Sequence, residues 1–311
     1  MVTAIFSHPE CSLHEMGPGH PECPQRLQAI NEHLRTDGML ATIEEREAPL
    51  ASLRDLELAH SSAYTAELTA LLEGVSASGT PRAIDPDTIA GAGTWRAALR
   101  AAGAAVAATD AVIDGEIDNA FCAVRPPGHH ATHNQAMGFC FFNNVAVAAR
   151  HALAVRGLQR VAIVDFDVHH GNGTEDIFAG DKRVLMVSIF QHPLFPYSGV
   201  EPLGTNMCNV AVPPFTRGAE VRALIEAKWI TALASFKPKM IFISAGFDAH
   251  RDDPLGQLAL VEADFAWITR RVSEVAQLHA QGRIVSCLEG GYALDALARS
   301  VAVHLRVLAG L

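Results

Sequence analysis

Charged and aromatic residues are scarce in this chain of 311 residues, at 19% and 6%, and it has only three tyrosines and three tryptophans. Hydrophobic residues make up 49%, which excludes a disordered protein, because such proteins combine low hydrophobicity with high charge. Lysine and arginine number 24 against 34 aspartates and glutamates, so the formal net charge is −10. This balance argues against a fold-wide basic footprint for nucleic acid, and we expect no nucleic-acid partner.

Paired cysteines and long apolar runs are also lacking. The six cysteines are widely spaced and none forms a Cys-x-x-Cys pair, so we interpret them as free thiols of a reducing compartment. No secretory signal is visible at the start of the chain, and no run approaches the roughly 18 apolar residues that a membrane span needs. We therefore expect a cytoplasmic protein with no membrane partner. Repeats and long linkers are absent as well, which favours one domain over residues 1–311.

Short apolar runs alternate with helical segments from residue 119 onward. The runs lie at 121–124, 161–164, 184–187, 240–243 and 284–287. Apolar residues at helical spacing predict helices between and after these runs, at 144–155, 219–235, 261–280 and 293–308. Three further helices are predicted before them, at 24–34, 61–72 and 94–113. Alternating strands and helices predict an α/β fold around a parallel sheet, and near-continuous apolar strands favour a sheet that is covered on both faces.

Each of the five predicted strands is followed by a loop that carries glycine, histidine or aspartate. The first loop contains His129 and His130, and the last contains Tyr292 after a pair of glycines. In open parallel sheets, ligands bind at the carboxyl ends of the strands. We therefore expect these five loops to line one crevice.

The segment Asp165-x-Asp167-x-His169 begins where the second predicted strand ends. In an extended segment, residues i, i+2 and i+4 face the same side, so two carboxylates and one imidazole converge. Such a set suits a divalent metal, and Asp248, after the fourth strand, is a further candidate ligand. The alternative is that these side chains cap loops or helices, as most such isolated patterns do.

The two histidines and the tyrosine have chemical and structural interpretations. Next to a metal, two imidazoles can polarise and deprotonate a water molecule, whereas adjacent histidines elsewhere are ordinarily surface residues. Tyr292 follows two glycines that permit unusual backbone angles, and its phenol can donate a hydrogen bond to a developing oxyanion. Packing at the start of a helix is the alternative for Tyr292.

Six blocks of the sequence resemble signature blocks of the zinc-dependent histone deacetylase family. In chain order they are His20-Pro-Glu-Cys-Pro-Gln-Arg-Leu27, Arg125-Pro-Pro-Gly-His-His130, Met137-Gly-Phe-Cys-Phe-Phe-Asn-Asn144, Asp165-Phe-Asp-Val-His-His-Gly-Asn-Gly-Thr174, Ser244-Ala-Gly-Phe-Asp-Ala-His250 and Glu289-Gly-Gly-Tyr292. The resemblance extends from about residue 5 to about residue 308, and Asn172, Glu289 and the His-Pro-Glu segment at residues 20–22 resemble the class II branch and its bacterial relatives. It implies a single arginase-like α/β domain with a central, mostly parallel sheet flanked by helices, and an active site at the carboxyl ends of the strands.

The resemblance also implies roles for individual residues. The ligands of Zn²⁺ would be Asp167, His169 and Asp248, a set that accepts Fe²⁺ as well. The catalytic group would comprise His129, His130 and Tyr292, with Asp165 and Asn172 orienting the two histidines. A narrow channel for the acyl-lysine side chain would be lined by Gly138, Phe139, Phe195 and Leu255. A structural K⁺ would lie on Asp165, Asp167, His169, Ser188 and Ile189. A second K⁺ would use backbone oxygens near Phe178, Asp181 and Val184.

These matches predict a metal-dependent amidohydrolase that removes acetyl or other acyl groups from the ε-amine of lysine in proteins or peptides. One alternative is an acetylpolyamine amidohydrolase, whose substrate is a small acetylated amine. A two-metal ureohydrolase of the arginase fold is disfavoured, since Ala249 and His250 follow Asp248 and leave that loop without the further aspartates that a second metal needs. An inactive acyl-lysine binding module is disfavoured because the ligands and the tyrosine are all present. A homo-oligomer is compatible with the sequence.

Leu255 bears on the choice between lysine and polyamine substrates. In the polyamine-selective eukaryotic branch, a glutamate stands at this position of the Asp-Pro-x segment and faces the distal ammonium. An uncharged Leu255 instead favours the aliphatic stem of an acyl-lysine, although a diffuse acidic field attracts polyamines and basic peptides alike. His14 and His20 lie in a loop that can reach the rim of the channel, and both a structural and a rim role stay open for them.

Overall fold

The computed structural model describes residues 2–311. Ten strands are present in these residues: β1 Thr3–Ser7, β2 Glu44–Glu47, β3 Arg82–Ala83, β4 Ile89–Ala90, β5 Asn119–Cys122, β6 Val161–Asp165, β7 Val184–Gln191, β8 Met207–Val212, β9 Ile241–Ala245 and β10 Ile284–Leu288. Eight of them form the central sheet in the order β2-β1-β5-β10-β9-β6-β7-β8, and all neighbours in it are parallel. The short β3 and β4 pair separately and antiparallel.

The helices follow the β-α-β pattern. They are α1 Gln25–Thr36, α2 Leu53–Leu56, α3 Ser62–Ser78, α4 Thr94–Asp114, α5 Asn144–Ala154, α6 Asn172–Phe178, α7 Gly218–Leu224, α8 Thr231–Phe236, α9 Glu262–His279 and α10 Leu294–Leu308. A π-helical segment, Ile225–Ile230, joins α7 to α8, and 3₁₀ turns cover Pro9–Leu13 and Met39–Ala41. Helices α4 and α5 pack on each other, and α10 packs between α1 and α9. These helices flank the sheet, as the alternating pattern predicts.

Burial accounts for the five strands that the sequence predicts, although β1, which is also mostly buried and lies inside the sheet, was not predicted. Strands β5, β6, β7, β9 and β10 are buried at every residue, and each overlaps one of the five apolar runs. The bounds agree to within two residues, except that β7 continues four residues beyond its run. The edge strands lack this pattern: β2 is the charged segment Glu-Glu-Arg-Glu, and β8 alternates buried and more exposed residues. Charged residues and a mixture of buried and exposed positions are expected in edge strands, because one side of an edge strand has no partner strand.

The sheet order brings the five functional loops side by side. Strands β5, β10, β9, β6 and β7 are consecutive neighbours in the sheet. Their registers align their carboxyl ends: Cys287 pairs with Cys122, Leu288 with Ala245, and Asp165 with both Ser244 and Ser188. A single crevice at this edge follows. Among residues 2–311, no helix combines the length and the apolar character that a membrane span requires.

Candidate active site

Asp167, His169 and Asp248 meet at the carboxyl ends of β6 and β9. One ligand atom from each lies within 4.8 Å of the others, and all three residues are buried. The Nδ1 atom of His169 is 3.0 Å from Asp167 Oδ1 and 3.1 Å from Asp248 Oδ2. The structure thus brings together the three residues that the sequence proposes as metal ligands.

Backbone N–H groups hold the two carboxylates in this orientation. Asp167 accepts hydrogen bonds from the backbone N–H groups of His169 at 2.9 Å and Gly290 at 2.8 Å, and Asp248 accepts one from Val168 at 2.9 Å. A Cβ atom on Gly290 would come within 1.9 Å of Asp248 Oδ2. Glycine is therefore required at this position, because any side chain would fill the space between the carboxylates.

The charge of this cluster fits a divalent cation. Two carboxylates without solvent contact need compensating positive charge, because desolvating unpaired anions is expensive. Burial and the charge of Asp167 raise the pKa of Asp248 to about 7, against the opposing effect of His169. Burial alone would lower the pKa of His169, but hydrogen bonds to Asp167 and Asp248 raise it to about 10. The donor set of two carboxylates and one imidazole suits Zn²⁺ or Fe²⁺.

The tandem histidines lie next to this cluster and have different partners. His129 Nδ1 donates to Asp165 Oδ2 at 2.9 Å, whereas His130 Nδ1 donates to the neutral amide oxygen of Asn172 at 2.7 Å. Both rings are buried and their centroids are 4.0 Å apart. Because Nδ1 is the donor in each ring, Nε2 of each is left to face the crevice.

These partners separate the pKa values of the two histidines. Burial opposes the charged form of His129, but the anions Asp167 and Asp165 raise its pKa well above the usual value. Burial lowers the pKa of His130 well below the usual value, and the positive charges of His129 and His169 lower it further. A cation bound to Asp167 would offset that anion and leave Asp165 as the partner of His129. His130 is thus the neutral imidazole of the pair at pH 7.

Glu289 supports the histidine loop, a role that the sequence pattern does not reveal. Its Oε2 atom accepts hydrogen bonds from the backbone N–H groups of Gly128 at 2.7 Å and His129 at 3.1 Å, and its Oε1 atom accepts one from Ser244 Oγ at 3.1 Å. Burial raises the pKa of Glu289 to about 7. The only indication of a functional role for Glu289 in the sequence is its position in the last signature block, Glu289-Gly-Gly-Tyr292.

Tyr292 lies on the loop between β10 and α10 and is held through its backbone and its ring. Gly291 has φ +121°, which side-chain-bearing residues rarely adopt. Arg26 donates from Nε to the Gly291 carbonyl oxygen at 2.7 Å, and its guanidinium carbon lies 5.0 Å from the centre of the Tyr292 ring. Burial and the charge of Asp248 raise the pKa of Tyr292 well above the usual value, so the phenol keeps its proton.

Asp253 links this tyrosine to the loop of Leu255. Its Oδ2 atom accepts the backbone N–H groups of Tyr292 at 2.6 Å and Ala293 at 3.1 Å, and its Oδ1 atom accepts that of Leu255 at 3.0 Å. In the sequence, Asp253 stands out only as the first residue of the Asp-Pro-x segment. The contact of Asp253 with the Tyr292 loop could not be predicted from the sequence, because it joins residues that are far apart in the chain.

Three of the four proposed channel residues, Gly138, Phe139 and Phe195, lie beside His130 or Tyr292. The Phe195 ring is 5.1 Å from that of His130, and the Phe139 ring is 5.9 Å from that of Tyr292. A Cβ atom on Gly138 would come within 2.6 Å of the His130 ring and 2.9 Å of Phe195. Gly138 therefore leaves room between these two side chains.

The structure distinguishes the two histidines whose roles the sequence left open. His20 packs edge-on against Phe139, a residue of the proposed channel, with ring centroids 4.8 Å apart. His14 is fully buried, with Nδ1 2.8 Å from Thr94 Oγ1 and Nε2 3.3 Å from Glu22. Glu22 also pairs with buried Arg125. His14 thus belongs to a structural ion-pair cluster.

The residues proposed for monovalent cations are also adjacent. Asp165 and Ser188 are paired neighbours on β6 and β7, and both are buried. The carbonyl oxygens of Phe178, Asp181 and Val184 converge on the side-chain amide nitrogen of Asn206.

Comparison with known proteins agrees with this geometry. Residues 20–308 match the family described as histone deacetylase domain. The chain belongs to the histone deacetylase family. It is accordingly a deacetylase-like amidohydrolase, and its sheet and helices are those of the arginase-like fold.

Relatives of this histone deacetylase family member come from archaea, bacteria and eukaryotes. It is 40% identical to a probable deacetylase of Archaeoglobus fulgidus, over 95% of this chain and 82% of the relative. It is 38% identical to the histone deacetylase-like amidohydrolase of Pseudomonas aeruginosa, over 93% and 81%. It is 37% identical to the mouse polyamine deacetylase HDAC10, over 98% of this chain and 46% of that one. The crystal structure of the HDA15 HD domain matches with a TM-score of 0.90 at 33% identity, covering 99% of this chain and 88% of that chain.

Proposed function

We propose that this protein is a zinc-dependent deacylase that hydrolyses the acylated ε-amine of a lysine side chain in a protein or peptide. The observation that carries this proposal is the buried cluster of Asp167, His169 and Asp248, whose ligand atoms lie within 4.8 Å of one another. The neutral imidazole of His130 and the protonated phenol of Tyr292 belong to the loops that adjoin this cluster. Fe²⁺ is the alternative metal, and a structural K⁺ is proposed on Asp165, Asp167, His169, Ser188 and Ile189.

The chemistry divides between the metal and the side chains. When bound, the divalent cation supplies Lewis acidity, which activates a water molecule and polarises a carbonyl oxygen. His130 then acts as the general base: its Nε2 accepts the proton of the attacking water while Nδ1 stays bonded to Asn172. The carbon–oxygen bond forms, the carbon–nitrogen bond breaks, and His130 returns the proton to the departing amine. His129, paired with Asp165, contributes positive charge beside the site.

Tyr292 has the complementary task at the carbonyl oxygen. Its phenol keeps its proton, so it can donate a hydrogen bond to the oxygen on which negative charge develops. The Arg26 contact with its ring and the Asp253 contact with its backbone hold it in place. Such a donor acts mainly on the transition state, because the charge that it stabilises appears only there.

We predict that Tyr292→Phe lowers kcat by about 10²–10³, the usual effect of removing one oxyanion donor. Zinc content and substrate affinity should stay near those of the unmodified protein, since the phenol does not bind the metal. Tyr64→Phe is a matched control, because the Tyr64 hydroxyl donates to the Phe141 carbonyl oxygen at 2.6 Å. Near-normal turnover of Tyr292→Phe would assign the polarising role to another group.

An acetylated polyamine is the second candidate substrate. Asp85 and Asp87 lie beside the channel wall, because Thr88 accepts the backbone N–H of Phe139 at 3.0 Å and His20 lies 3.2 Å from the Asp87 carbonyl oxygen. Burial and Asp85 raise the pKa of Asp87 to about 6. An acidic rim favours cationic substrates of either kind. The similarity to a protein named polyamine deacetylase also supports this alternative.

A comparison of kcat/KM for an acetyl-lysine peptide, longer acyl-lysine peptides, acetylspermidine and acetylputrescine tests the proposal on zinc-quantified protein. We expect the acetyl-lysine peptide to be preferred, because Leu255 provides no charge for a distal ammonium. Leu255→Glu should raise the value for acetylspermidine relative to the peptide. A preference of the unmodified protein for a polyamine by tenfold or more, about 1.4 kcal/mol in transition-state binding, would establish the second candidate instead.

A further inference from the structure

The side-chain amide of Asn206 lies at the centre of three backbone carbonyl oxygens. Its Nδ2 atom is 2.9 Å from the oxygen of Phe178, 3.2 Å from that of Asp181 and 3.0 Å from that of Val184. These oxygens come from the end of α6, the turn after it and the start of β7. The amide therefore ties together the whole connection between α6 and β7.

Two of these three carbonyl oxygens already accept a backbone hydrogen bond, and the Asn206 amide is a second donor to each of them. The Phe178 oxygen already accepts the N–H of Asp181 at 3.0 Å, and the Asp181 oxygen accepts that of Val184 at 2.9 Å. A carbonyl oxygen has a second lone pair, which here points to Asn206. An amide NH₂ has two hydrogens, so one of them is shared between two of the three carbonyl oxygens in a three-centre hydrogen bond.

Converging carbonyl oxygens are the arrangement with which proteins replace the hydration shell of a potassium ion. The resemblance to the deacetylase family implies a second K⁺ on these same three residues. The ion and the Asn206 nitrogen cannot share the position, because the nitrogen is already at hydrogen-bond distance from all three oxygens. The residues present therefore do not fit this second cation.

Asn206 is also anchored in this orientation. Its Oδ1 atom accepts the backbone N–H of Gly180 at 2.9 Å, and its own carbonyl oxygen accepts that of Met186 at 3.0 Å. A Cβ atom on Gly204 would come within 2.7 Å of Asn206 Oδ1. Oxygen and nitrogen of the amide are thus both engaged, which defines the direction in which the NH₂ group points.

We infer that the side-chain amide of Asn206 takes the place of the second monovalent cation, so that this part of the fold is held without an ion. The partial positive charge of the NH₂ group neutralises the three carbonyl dipoles. This inference does not depend on the proposed hydrolysis, and its test does not use activity.

Anomalous diffraction from crystals containing thallium(I), which substitutes for K⁺, tests the inference directly. The unmodified protein should show no anomalous peak among the oxygens of Phe178, Asp181 and Val184. Asn206→Ala, or Asn206→Ser if the alanine variant does not fold, should show one. A peak there in the unmodified protein, with the amide rotated away, would overturn the inference. So would the lack of a peak in the variant.

Thermal unfolding in potassium chloride and in choline chloride provides the matching solution experiment. Asn206→Ala should lose several degrees of Tm in choline chloride and regain most of that loss in potassium chloride. The control is Asn119→Ala, which deletes a buried amide that donates to the Leu308 carbonyl oxygen at 2.9 Å. Its potassium dependence should equal that of the unmodified protein. Equal potassium dependence of all three proteins would contradict the inference.

Discussion

Replacing Asp167 with alanine should abolish both metal binding and deacylase activity. The carboxylate is one of three converging ligands, and its loss leaves Asp248 and His169, too few for a tight zinc site. We expect zinc, measured on purified protein by mass spectrometry, to fall from one ion per chain to near zero. Activity should fall below detection, and added zinc should not restore it.

Asp252→Ala is the matched control for this experiment. Asp252 lies in the same loop as Asp248, but its side chain is 52% exposed and is not part of the cluster. It should keep full zinc content and activity. Removing the metal from the unmodified protein with a chelator should stop turnover, and zinc should restore it. Full activity of the metal-free protein, or two tightly bound ions in the crevice, would refute the single-metal site.

His130→Ala should lose more activity than His129→Ala. His130 is neutral at pH 7 because burial and the positive charges of its neighbours lower its pKa, so it can accept a proton from water. His129 is held in the charged form by Asp165 and Asp167, which raise its pKa. General acid–base catalysis typically contributes about 10²–10⁴ in rate, and we expect His130→Ala to lose an amount in that range.

The measurement is kcat with an acetyl-lysine peptide at saturating concentration, on variants whose zinc content equals that of the unmodified protein. Each histidine variant serves as the control for the other, because the two rings are adjacent and equally buried. A larger loss for His129→Ala, with zinc intact in both variants, would exchange their roles.

Five strands of the central sheet were predictable, and all five are buried at every residue. Such strands consist almost entirely of apolar residues, so β6 and β10 could be located from composition alone. Strands β1, β2 and β8 of the central sheet were missed. The edge strands β2 and β8 carry charge or mixed burial that a loop can also show, and the mostly buried β1 lies before the β-α-β alternation that begins near residue 119. The π-helical Ile225–Ile230 segment was likewise hidden inside a longer helical pattern.

The chemistry of the candidate site was also predictable from local patterns. The spacing of Asp165, Asp167 and His169 predicted that one short segment supplies both carboxylates and an imidazole. The structure corrects the extended geometry, because β6 ends at Asp165 and residues 167–169 form bends. Asp167 and His169 therefore meet Asp248, whereas Asp165 binds His129. Their neighbours were not predictable in the same way. Gly290 reaches Asp167 from 123 residues away, and Asp253 reaches Tyr292 from 39 residues away. Contacts over such separations leave no periodicity in the sequence.

The sequence by itself determined the fold class, the metal-ligand pattern and the five loops that carry the chemistry. Only the tertiary structure decided that β10 and β9 lie between β5 and β6, which makes those loops neighbours. It also decided that Asn206 points into three carbonyl oxygens. The physical reason is that periodicity and spacing record which face of an element is buried. The pairing of distant strands and the direction of a single amide depend on packing across the whole chain.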